Sequence, residues 1–306
     1  MRSGEKGTFE EQYRNVQVAA KQIAEFMKRD SRKNRIALTH GNGPQVGATL
    51  VRHRLAGQHY PAMPLHVCTA ETQGFIGYII EQALQDELDR AKMNKKVTTV
   101  LTRVIVNSND NAFLNPTKPI GETFDEEMTE VLLGNEMVQL KKGKVGPGGT
   151  KFKLLVPSPK PNTIINYEAI RFLVNAGFIV IACGGGGIPV MKENRHTFGI
   201  DAVIDKDLAS ERLATSIGAS TLVLLTNVDG IYRNYGKKNQ ELVSTVQIGT
   251  NHEEKKGLKD LESGSIGPKV EAAISFIRNG GKAAIVCSLQ HLSDALAGIS
   301  GTHFFK

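Results

Sequence analysis

The stretch that most constrains the fold runs from Phe178 to Gly218, where a strand, a glycine cluster and a helix follow one another. Residues 178–182 (FIVIA) are apolar and rich in β-branched side chains, a composition that predicts a buried strand. Four glycines follow at positions 184–187. Because glycine has no Cβ, these residues let the backbone turn tightly and bring its N–H groups close to a ligand. The pattern predicts a binding loop at the end of a buried strand.

The helix that follows is expected to begin at Asp205-Lys206-Asp207 and to end at Gly218. A lysine at a helix N-terminus lies beside the positive end of the helix dipole, which is favourable when an anion such as phosphate also binds there. The alternative is that one aspartate is only an N-cap and Lys206 a solvated side chain. Two further segments of the same kind favour the interpretation that an anion binds here.

The first of these segments is HGNGPQVG, which follows a predicted strand at residues 35–39. Gly41, Asn42 and Gly43 form a glycine-rich turn, and Pro44 suits the first position of a helix. A strand, a glycine-rich turn and a helix N-terminus in succession form an anion site. An ordinary tight turn between strand and helix is the alternative.

The second segment, GSIGPK, opens a predicted helix and places Lys269 in its first turn. Before it, a predicted strand at residues 221–226 leads into Asn227, and Asp229-Gly230 marks a turn. At the carboxyl end of a parallel strand, such polar residues point into the cleft where ligands bind. Tyr232 and Tyr235 could stack on a base or could be edges of the core.

Strands alternate with helices along most of the chain, which predicts an α/β fold: a three-layer αβα sandwich with a mostly parallel central sheet. The other predicted helices cover residues 8–29, 69–90 and 164–176, and the other predicted strands cover 97–106, 283–287 and 302–305. We expect one domain over residues 1–306, with residues 107–162 inserted as a lid subdomain because proline, glycine and lysine become frequent there. A helix near residues 125–133 is expected inside it. Of the lysines at positions 141, 142, 144, 151 and 153, we expect one to be functional.

Composition narrows the class of ligand and compartment. The net charge of +7 favours an anionic ligand, and nucleic acid is the alternative. Against nucleic acid, the basic residues are dispersed, tryptophan is absent and no RNA- or DNA-binding spacing occurs.

Three cysteines in separate apolar runs predict reduced, buried thiols in a cytosolic protein. No CxxC or HExxH pattern predicts a metal site, and no apolar run reaches the roughly 18–20 residues that cross a membrane.

Glycine-rich turns at strand ends, two of them followed by a lysine, suit a nucleoside triphosphate and a second small anion. Phosphoryl transfer depends on positioning and on positive charge around the transferred group. The chain has neither the GxxxxGK[ST] motif nor the HRD and DFG signatures, which excludes the two commonest phosphotransferase layouts.

Eight segments in the same order together resemble the carbamate kinases of the amino acid kinase family: HGNGPQVG, PLHVCTAETQGFIGY, NPTKPIG, VPSPKP, IACGGGGIPV, AVIDKDLAS, TNVDGIYRNYG and GSIGPKVEAAI. The resemblance implies reversible phosphoryl transfer between ATP and carbamate, giving ADP and carbamoyl phosphate, with Mg²⁺ on the nucleotide. It also implies a cytosolic homodimer whose reaction often runs toward ATP at the end of arginine fermentation. The composition already argues against a nucleic-acid or membrane partner.

The resemblance also implies residue roles. Lys206 bridges the transferred phosphoryl group, and Asp207 holds Lys206 and other groups in place. Lys269 binds phosphate on the ATP side, and Lys141 is the lid lysine that contacts carbamoyl phosphate. The expected substrate-binding residues are Gly41, Asn42, Gly43, Gly185 and Gly186. The expected nucleotide-binding residues are Thr226, Asp229, Gly230, Tyr232, Tyr235 and Gly267, and no residue is assigned to a metal held by the protein.

Three departures from the family pattern accompany the resemblance. KKGKVGPGGTK replaces the usual acidic-then-Gly-Arg-Gly segment of the lid, and Asn227 stands where an aspartate is common. The family also opens with a strand ending in Gly-Gly-Asn-Ala, whose loop holds the transferred phosphoryl, whereas Met1 falls just after that point. We therefore expect Met1 to be an internal methionine of a longer protein, and an upstream extension of about 10–20 residues, one strand and its turn, to restore the loop.

Two alternative functions stay open at this point. One is a catalytically impaired relative that binds carbamoyl phosphate or nucleotide, which the missing Gly-Gly-Asn loop supports and the retained lysines oppose. The other is an amino acid kinase acting on acetylglutamate, aspartate or a nucleoside monophosphate. The NPTKPIG and VPSPKP segments argue against it, since the lid selects the acceptor.

Overall fold

The structure is a computed structural model that describes residues 5–29, 35–57, 59–125, 139–146, 149–249 and 266–306. The described helices are α1 (Phe9–Arg29), α2 (Gly43–Ala56), α3 (Leu65–Arg90), α4 (Tyr167–Asn175), α5 (Lys206–Ile217), α6 (Gly267–Arg278) and α7 (Leu292–Leu296). The described strands are β1 (Ala37–Leu38), β2 (Val97–Thr99), β3 (Arg103–Val106), β4 (Lys118–Phe124), β5 (Gln139–Gly146), β6 (Gly149–Val156), β7 (Pro161–Ile164), β8 (Ile179–Ile181), β9 (Ile188–Glu193), β10 (His196–Gly199), β11 (Thr221–Thr226), β12 (Ile231–Arg233), β13 (Glu241–Val243), β14 (Thr245–Gln247), β15 (Ala283–Ser288) and β16 (Thr302–Phe305).

Strand β8 lies between β1 and β2 in a parallel sheet and is buried on both faces. Successive side chains of a strand point to opposite faces. Accordingly, Ile179 and Ile181 pack against α1 and α3, whereas Val180 packs against α4 and α5. Helices therefore cover both faces of this sheet, which confirms the predicted α/β fold.

A second sheet has the order β11-β15-β16-β14 and is covered in the same way. Strands β11 and β15 are parallel, and β16 runs antiparallel to β15. Leu222 and Leu224 of β11 pack against α6, while Ile285 and Cys287 of β15 pack toward α7. The carboxyl ends of β8 and β11 lead into the two glycine-containing loops that the sequence marks as binding loops.

The segment predicted to be a lid contributes a separate antiparallel sheet, β4-β6-β5, which we call the inserted sheet. Its strand β4 packs against α2, and Ile120 joins an apolar cluster with Val46 and Leu50 of that helix. The remaining strands form a four-stranded sheet, β10-β9-β3-β7, and a two-stranded one, β12-β13. The helix predicted near residues 125–133 lies outside the described residues, apart from Asp125.

The strand predicted over residues 97–106 was wrong as a single element, because it is divided into β2 and β3, which belong to different sheets. The break occurs around Thr102. Its backbone N–H and carbonyl bond to the side-chain amide of Gln73, and its hydroxyl accepts the N–H of Cys183 at 3.0 Å. Because the Gln73 side chain takes the N–H of Thr102, this N–H is not available to a strand partner, whereas the Thr102 carbonyl oxygen also accepts the N–H of Ile188 at 2.8 Å.

The helix predicted from Ile164 begins instead at Tyr167, because Ile164 pairs with Val104 in the sheet. The helix predicted from residue 8 begins at Phe9, and its capping box is confirmed. The Thr8 hydroxyl accepts the Glu11 N–H, and the Glu11 carboxylate accepts the Thr8 N–H at 3.1 Å. Within the described part of the chain, no helix is both long enough and apolar enough to cross a membrane.

Candidate active site

The loop after β8 is built from glycine because it presses against two other segments. Residues 185–187 all have positive φ, at 63°, 93° and 91°. The N–H of Gly185 donates to the carbonyl oxygen of His40 at 2.7 Å. A Cβ on Gly185 would lie 2.2 Å from the side chain of Asn42, and one on Gly186 would lie 2.3 Å from the Ile204 carbonyl oxygen. Only glycine fits this approach.

Gly41, Asn42 and Gly43 form the segment that this loop contacts. Asn42 is buried, and its side-chain amide donates to the Thr72 hydroxyl at 2.9 Å. Gly43 and Pro44 are the first residues of α2, as the sequence predicts. A Cβ added to Gly41 would lie 3.3 Å from Cδ of Lys206. The N-termini of α2 and α5 and the loop after β8 therefore lie close together.

Helix α5 begins at Lys206, with Asp205 as its N-cap. The Asp205 carboxylate accepts the N–H of Asp207 at 2.9 Å, and the helix ends at Gly218 in the left-handed region with φ of 73°. Both ends were predicted correctly. Burial raises the pKa of Asp205, but the Lys118 ammonium and the bonds from backbone N–H groups outweigh it and leave that pKa below its usual value.

Two ion pairs link this helix terminus to other elements. Lys269, in the first turn of α6, places Nζ 2.8 Å from Oδ2 of Asp207, and both side chains are only 10% exposed. Lys118, at the start of β4, places Nζ 2.5 Å from Oδ2 of Asp205. Three lysines and two aspartates thus meet at the N-terminus of α5, with one positive charge in excess.

Lys206 makes no ion pair with a carboxylate among the described residues. Its pKa is lowered, first because its ammonium is largely removed from water, and further by repulsion from Lys269 and Lys118; attraction to Asp207 and Asp205 opposes these effects. Binding of an anion would stabilise the charged form of an ammonium in this position. Since Lys118 and Lys269 are each paired with an aspartate, Lys206 carries the excess positive charge of the site.

Sequence reasoning missed two residues that contact this group. Lys118 belongs to the NPTKPIG segment but lies 87 positions from Asp205, a separation that no local pattern bridges. His40 lies one residue before the Gly41 turn, and its Nδ1 donates to the Gly41 carbonyl oxygen over 3.1 Å. Burial of the imidazole lowers the pKa of His40 to about 4, and repulsion from Lys206 contributes.

The residues predicted to hold nucleotide lie at the end of β11. Thr226 is its last residue and pairs with Ser288, whose hydroxyl donates to Oδ1 of Asp229 at 3.3 Å. Gly230 is required by the close approach of Thr302, whose hydroxyl oxygen would lie 2.8 Å from a Cβ at that position. These contacts hold the turn after β11 against the neighbouring strands.

Tyr232 and Tyr235 form an aromatic pair with ring centroids 5.9 Å apart. Tyr235 is 65% exposed, so it is not an edge of the core, which was one of the two interpretations of these tyrosines. Gly267 is the first residue of α6, two positions before Lys269. The main chain of Lys141 pairs with Lys153 in the inserted sheet, and the predicted role of its side chain lies outside the described part of the structure.

The three cysteines are free and buried, as predicted. Burial raises the pKa of the Cys68 and Cys183 thiols to about 12 and that of Cys287 to about 11. Thiols in this state are poor nucleophiles at neutral pH.

The arrangement as a whole is suited to phosphate. The N-termini of α2 and α5 provide neutral backbone N–H donors for an anion, whereas the N–H groups of residues 185–187 donate to carbonyl oxygens within the protein. Lys118, Lys206 and Lys269 add fixed positive charge in a partly desolvated setting, where it stabilises developing negative charge more than it would in water. No side chain among them is placed as a covalent nucleophile, as direct phosphoryl transfer requires none.

Comparison with known proteins gives one consistent family. The sequence profile of the amino acid kinase family matches residues 4–288. The carbamate kinase of Pyrococcus horikoshii is 45% identical over 98% of this chain and 93% of that protein. The carbamate kinase of Trichomonas vaginalis is 40% identical over 99% of this chain and 95% of that protein. The solved structure of Giardia lamblia carbamate kinase bound to AMP-PNP superposes with a TM-score of 0.87 at 37% identity, covering 100% of this chain and 95% of that one.

Proposed function

The chain belongs to the amino acid kinase family, and we propose that it is a carbamate kinase that transfers a phosphoryl group reversibly between ATP and carbamate. In the direction of ATP synthesis, a β-phosphate oxygen of ADP attacks the phosphorus of carbamoyl phosphate. The bond from that phosphorus to the carbamoyl oxygen breaks, and carbamate leaves. The proposal agrees with the names of relatives that share 40–45% identity over nearly the whole chain.

The observation that carries the proposal is the position of Lys206. It is the first residue of α5, it lies against the Gly41 turn, and it adjoins the Lys269–Asp207 pair. An ammonium between two phosphate-binding segments can stay in contact with the phosphoryl group as that group moves from one to the other. Asp207 fixes Lys269 beside it, so that the charge meets the equatorial oxygens of the transferred group.

We assign the two sides of the site as follows. Gly41, Asn42 and Gly43, with Gly185 and Gly186, form the carbamoyl phosphate side, because the Gly41 turn lies against Lys206 and the loop after β8 packs against that turn. The nucleotide side consists of Thr226, Asp229, Gly230, Tyr232, Tyr235 and Gly267. The exposed ring of Tyr235 is available to stack on the adenine base.

We propose Mg²⁺ as the metal that accompanies the nucleotide. Among the described residues, no group of three or more His, Cys, Asp or Glu side chains could hold a metal ion, and the carboxylates of Asp205 and Asp207 each bond to a lysine. This donor set fits a metal that is carried mainly by the nucleotide phosphates, as Mg²⁺ commonly is. When bound, Mg²⁺ neutralises charge on the phosphates. The lysines of the chain supply the remaining positive charge around the phosphates.

The wider setting is also a proposal. Residues 107–162 act as a lid that selects the acceptor, within one domain. The protein works in the cytosol, which agrees with three reduced thiols, and it forms a homodimer. Its physiological direction is ATP synthesis at the end of arginine breakdown. A ligand-binding relative without activity is not favoured, because the charged groups that the chemistry needs are present and in contact.

An acceptor panel tests the proposed function. ADP formation from ATP and Mg²⁺ is measured with carbamate, supplied as bicarbonate and ammonium, and with acetylglutamate, aspartate and uridine monophosphate. We expect turnover with carbamate alone, and ATP formation when carbamoyl phosphate and ADP are supplied. Faster turnover with another acceptor would identify a different amino acid kinase. Nucleotide binding without turnover on any acceptor would identify a ligand-binding relative.

A further inference from the structure

Helix α2 and strand β4 of the inserted sheet touch through their backbones at two glycines. A Cβ built on Gly47 would lie 2.2 Å from Cα and 2.3 Å from the backbone nitrogen of Gly121. Side-chain carbons do not approach so closely, and both obstructing atoms belong to backbone. The helix and the strand are therefore as close as two segments of main chain can be, and any side chain at position 47 would separate them.

Strand β4 is shaped for this contact. Gly121 has φ of +66°, and the register of β4 against β6 shifts between Ile120 and Thr123. Such a bulge bends a strand locally and redirects the residues beside it. Ile120 is 1% exposed and packs with Val46 and Leu50 of α2 on the apolar side of the same joint. Gly47, Gly121 and Ile120 thus fix where β4 lies on α2.

Lys118 is three residues before Gly121 on the same strand, and its Nζ reaches Asp205 at 2.5 Å. The ion pair spans from the inserted sheet to the N-cap of α5, immediately before Lys206. The main chain of Lys118 pairs with Val156 in β6, so Lys118 is held in the same sheet as Gly121. A displacement of β4 from α2 would therefore carry Lys118 away from the site.

We propose that the Gly47–Gly121 contact is a positioning device that holds Lys118 against the phosphoryl site and thereby sets the affinity for carbamoyl phosphate. The inference rests on the proposed function, because it names carbamoyl phosphate as the ligand that Lys118 helps to bind. Restoring ordinary contact at 3.4 Å or more from the present 2.2 Å would move the strand by more than 1 Å. A misplacement of about 1 Å can lower an enzymatic rate by about 10²-fold.

The test compares Gly47→Ala with Gly74→Ala. A Cβ at Gly74, inside α3, would meet no atom within 4 Å, so this variant makes the same chemical change without a clash. For Gly47→Ala we expect the KM for carbamoyl phosphate to rise by about tenfold or more, with ADP affinity within about twofold of wild type. Gly74→Ala should match wild type. Loss of affinity for both ligands alike, with a lower Tm, would indicate a purely structural role and overturn the proposal.

A double-mutant cycle tests whether Gly47→Ala raises the KM for carbamoyl phosphate by displacing Lys118. In a Lys118→Met background, Gly47→Ala should cause no more than about a twofold further change, because the side chain that it displaces is already absent. An equal loss in both backgrounds would overturn the proposal. If Gly47→Ala does not fold, Ile120→Val is the second variant. It weakens the packing between α2 and β4 without introducing a clash. It should raise the KM for carbamoyl phosphate in the presence of Lys118 only, and no change in either background would count against the proposal.

A measurement without turnover separates this inference from the proposed function. Limited acetylation with acetic anhydride, quantified by peptide mass spectrometry, reports how far the Lys118 ammonium is released from Asp205. Gly47→Ala should raise acetylation of Lys118 several-fold relative to wild type and leave that of Lys160 unchanged, since its side chain is 73% exposed. Unchanged acetylation of Lys118 would refute the positioning role. An enzyme inactive on carbamoyl phosphate but with this labelling shift would refute only the function.

Discussion

The Nζ atom of Lys269 and the Oδ2 atom of Asp207 form a buried ion pair, 2.8 Å apart, that joins the first turns of α5 and α6. Each of these helix N-termini was predicted from sequence as a separate anion site. The pair shows that they are one structure, in which an aspartate of one helix orients the lysine of the other. A phosphate bound there meets a preformed arrangement of charge.

We predict that breaking this pair destabilises the protein more than removing both partners. Asp207→Ala leaves the Lys269 ammonium buried without its carboxylate and should lower the free energy of unfolding by about 3 kcal/mol or more. Asp207→Ala combined with Lys269→Met should recover part of that loss in urea unfolding, but no activity. The exposed Lys160–Glu271 pair is the control, and Glu271→Ala there should cost less than about 1 kcal/mol. Equal losses at the two sites would contradict this prediction.

Lys118 and Lys141 are alternative candidates for the lysine that contacts carbamoyl phosphate. The family resemblance predicts Lys141, whereas the described contacts bring Lys118 to the site. We expect Lys118→Met to raise the KM for carbamoyl phosphate by about tenfold or more and to leave ADP affinity nearly unchanged. Lys141→Met, measured beside it, decides between them. A large effect of Lys141→Met with none of Lys118→Met would show that the prediction from the resemblance was right and ours is wrong.

The pKa of His40 predicts part of the pH dependence of stability. Burial lowers this pKa from 6.5 to about 4, so the unfolded chain takes up a proton at His40 before the native protein does. Stability from this residue is complete above about pH 6.5 and is lost as the pH falls toward 4, by about 1–3 kcal/mol.

The measurement is the free energy of unfolding of wild type and His40→Gln between pH 7.5 and pH 4.5. The wild type should lose more stability than the variant over this interval. His196→Gln, at an exposed position of β10, should behave as wild type does. Parallel curves for wild type and His40→Gln would show that His40 is not responsible.

The parts of the fold that the sequence predicted are those with a local cause. Strand β8 was predicted from five apolar residues in succession. Helix α5 was predicted from an aspartate N-cap and a terminal glycine, and α2 from a proline in its first turn. The glycine loop after β8 was predicted for the same reason, because positive φ and close approach demand glycine wherever they occur.

The parts that were missed depend on contacts between distant segments. The break at Thr102 arises from Gln73 and Cys183, and the Lys118–Asp205 pair spans 87 positions, so neither leaves a local pattern. The hairpins β9-β10 and β12-β13 were also missed. Their strands are short, and the exposed residues of β10 and β13 include Phe198 and Leu242, which leaves little alternation of polar and apolar side chains to detect.

The central claim is that Lys206 acts on the phosphoryl group during transfer, and the most direct test is ATP formation from carbamoyl phosphate and ADP by Lys206→Ala. Removal of one such electrostatic contact typically lowers kcat by about 10²–10³-fold. We expect a loss of that size with ADP binding, measured by calorimetry, within about twofold of wild type, whereas Lys192→Ala at an exposed position should be fully active. Retention of more than about a tenth of the wild-type rate by Lys206→Ala, a difference below about 1.4 kcal/mol, would contradict the account.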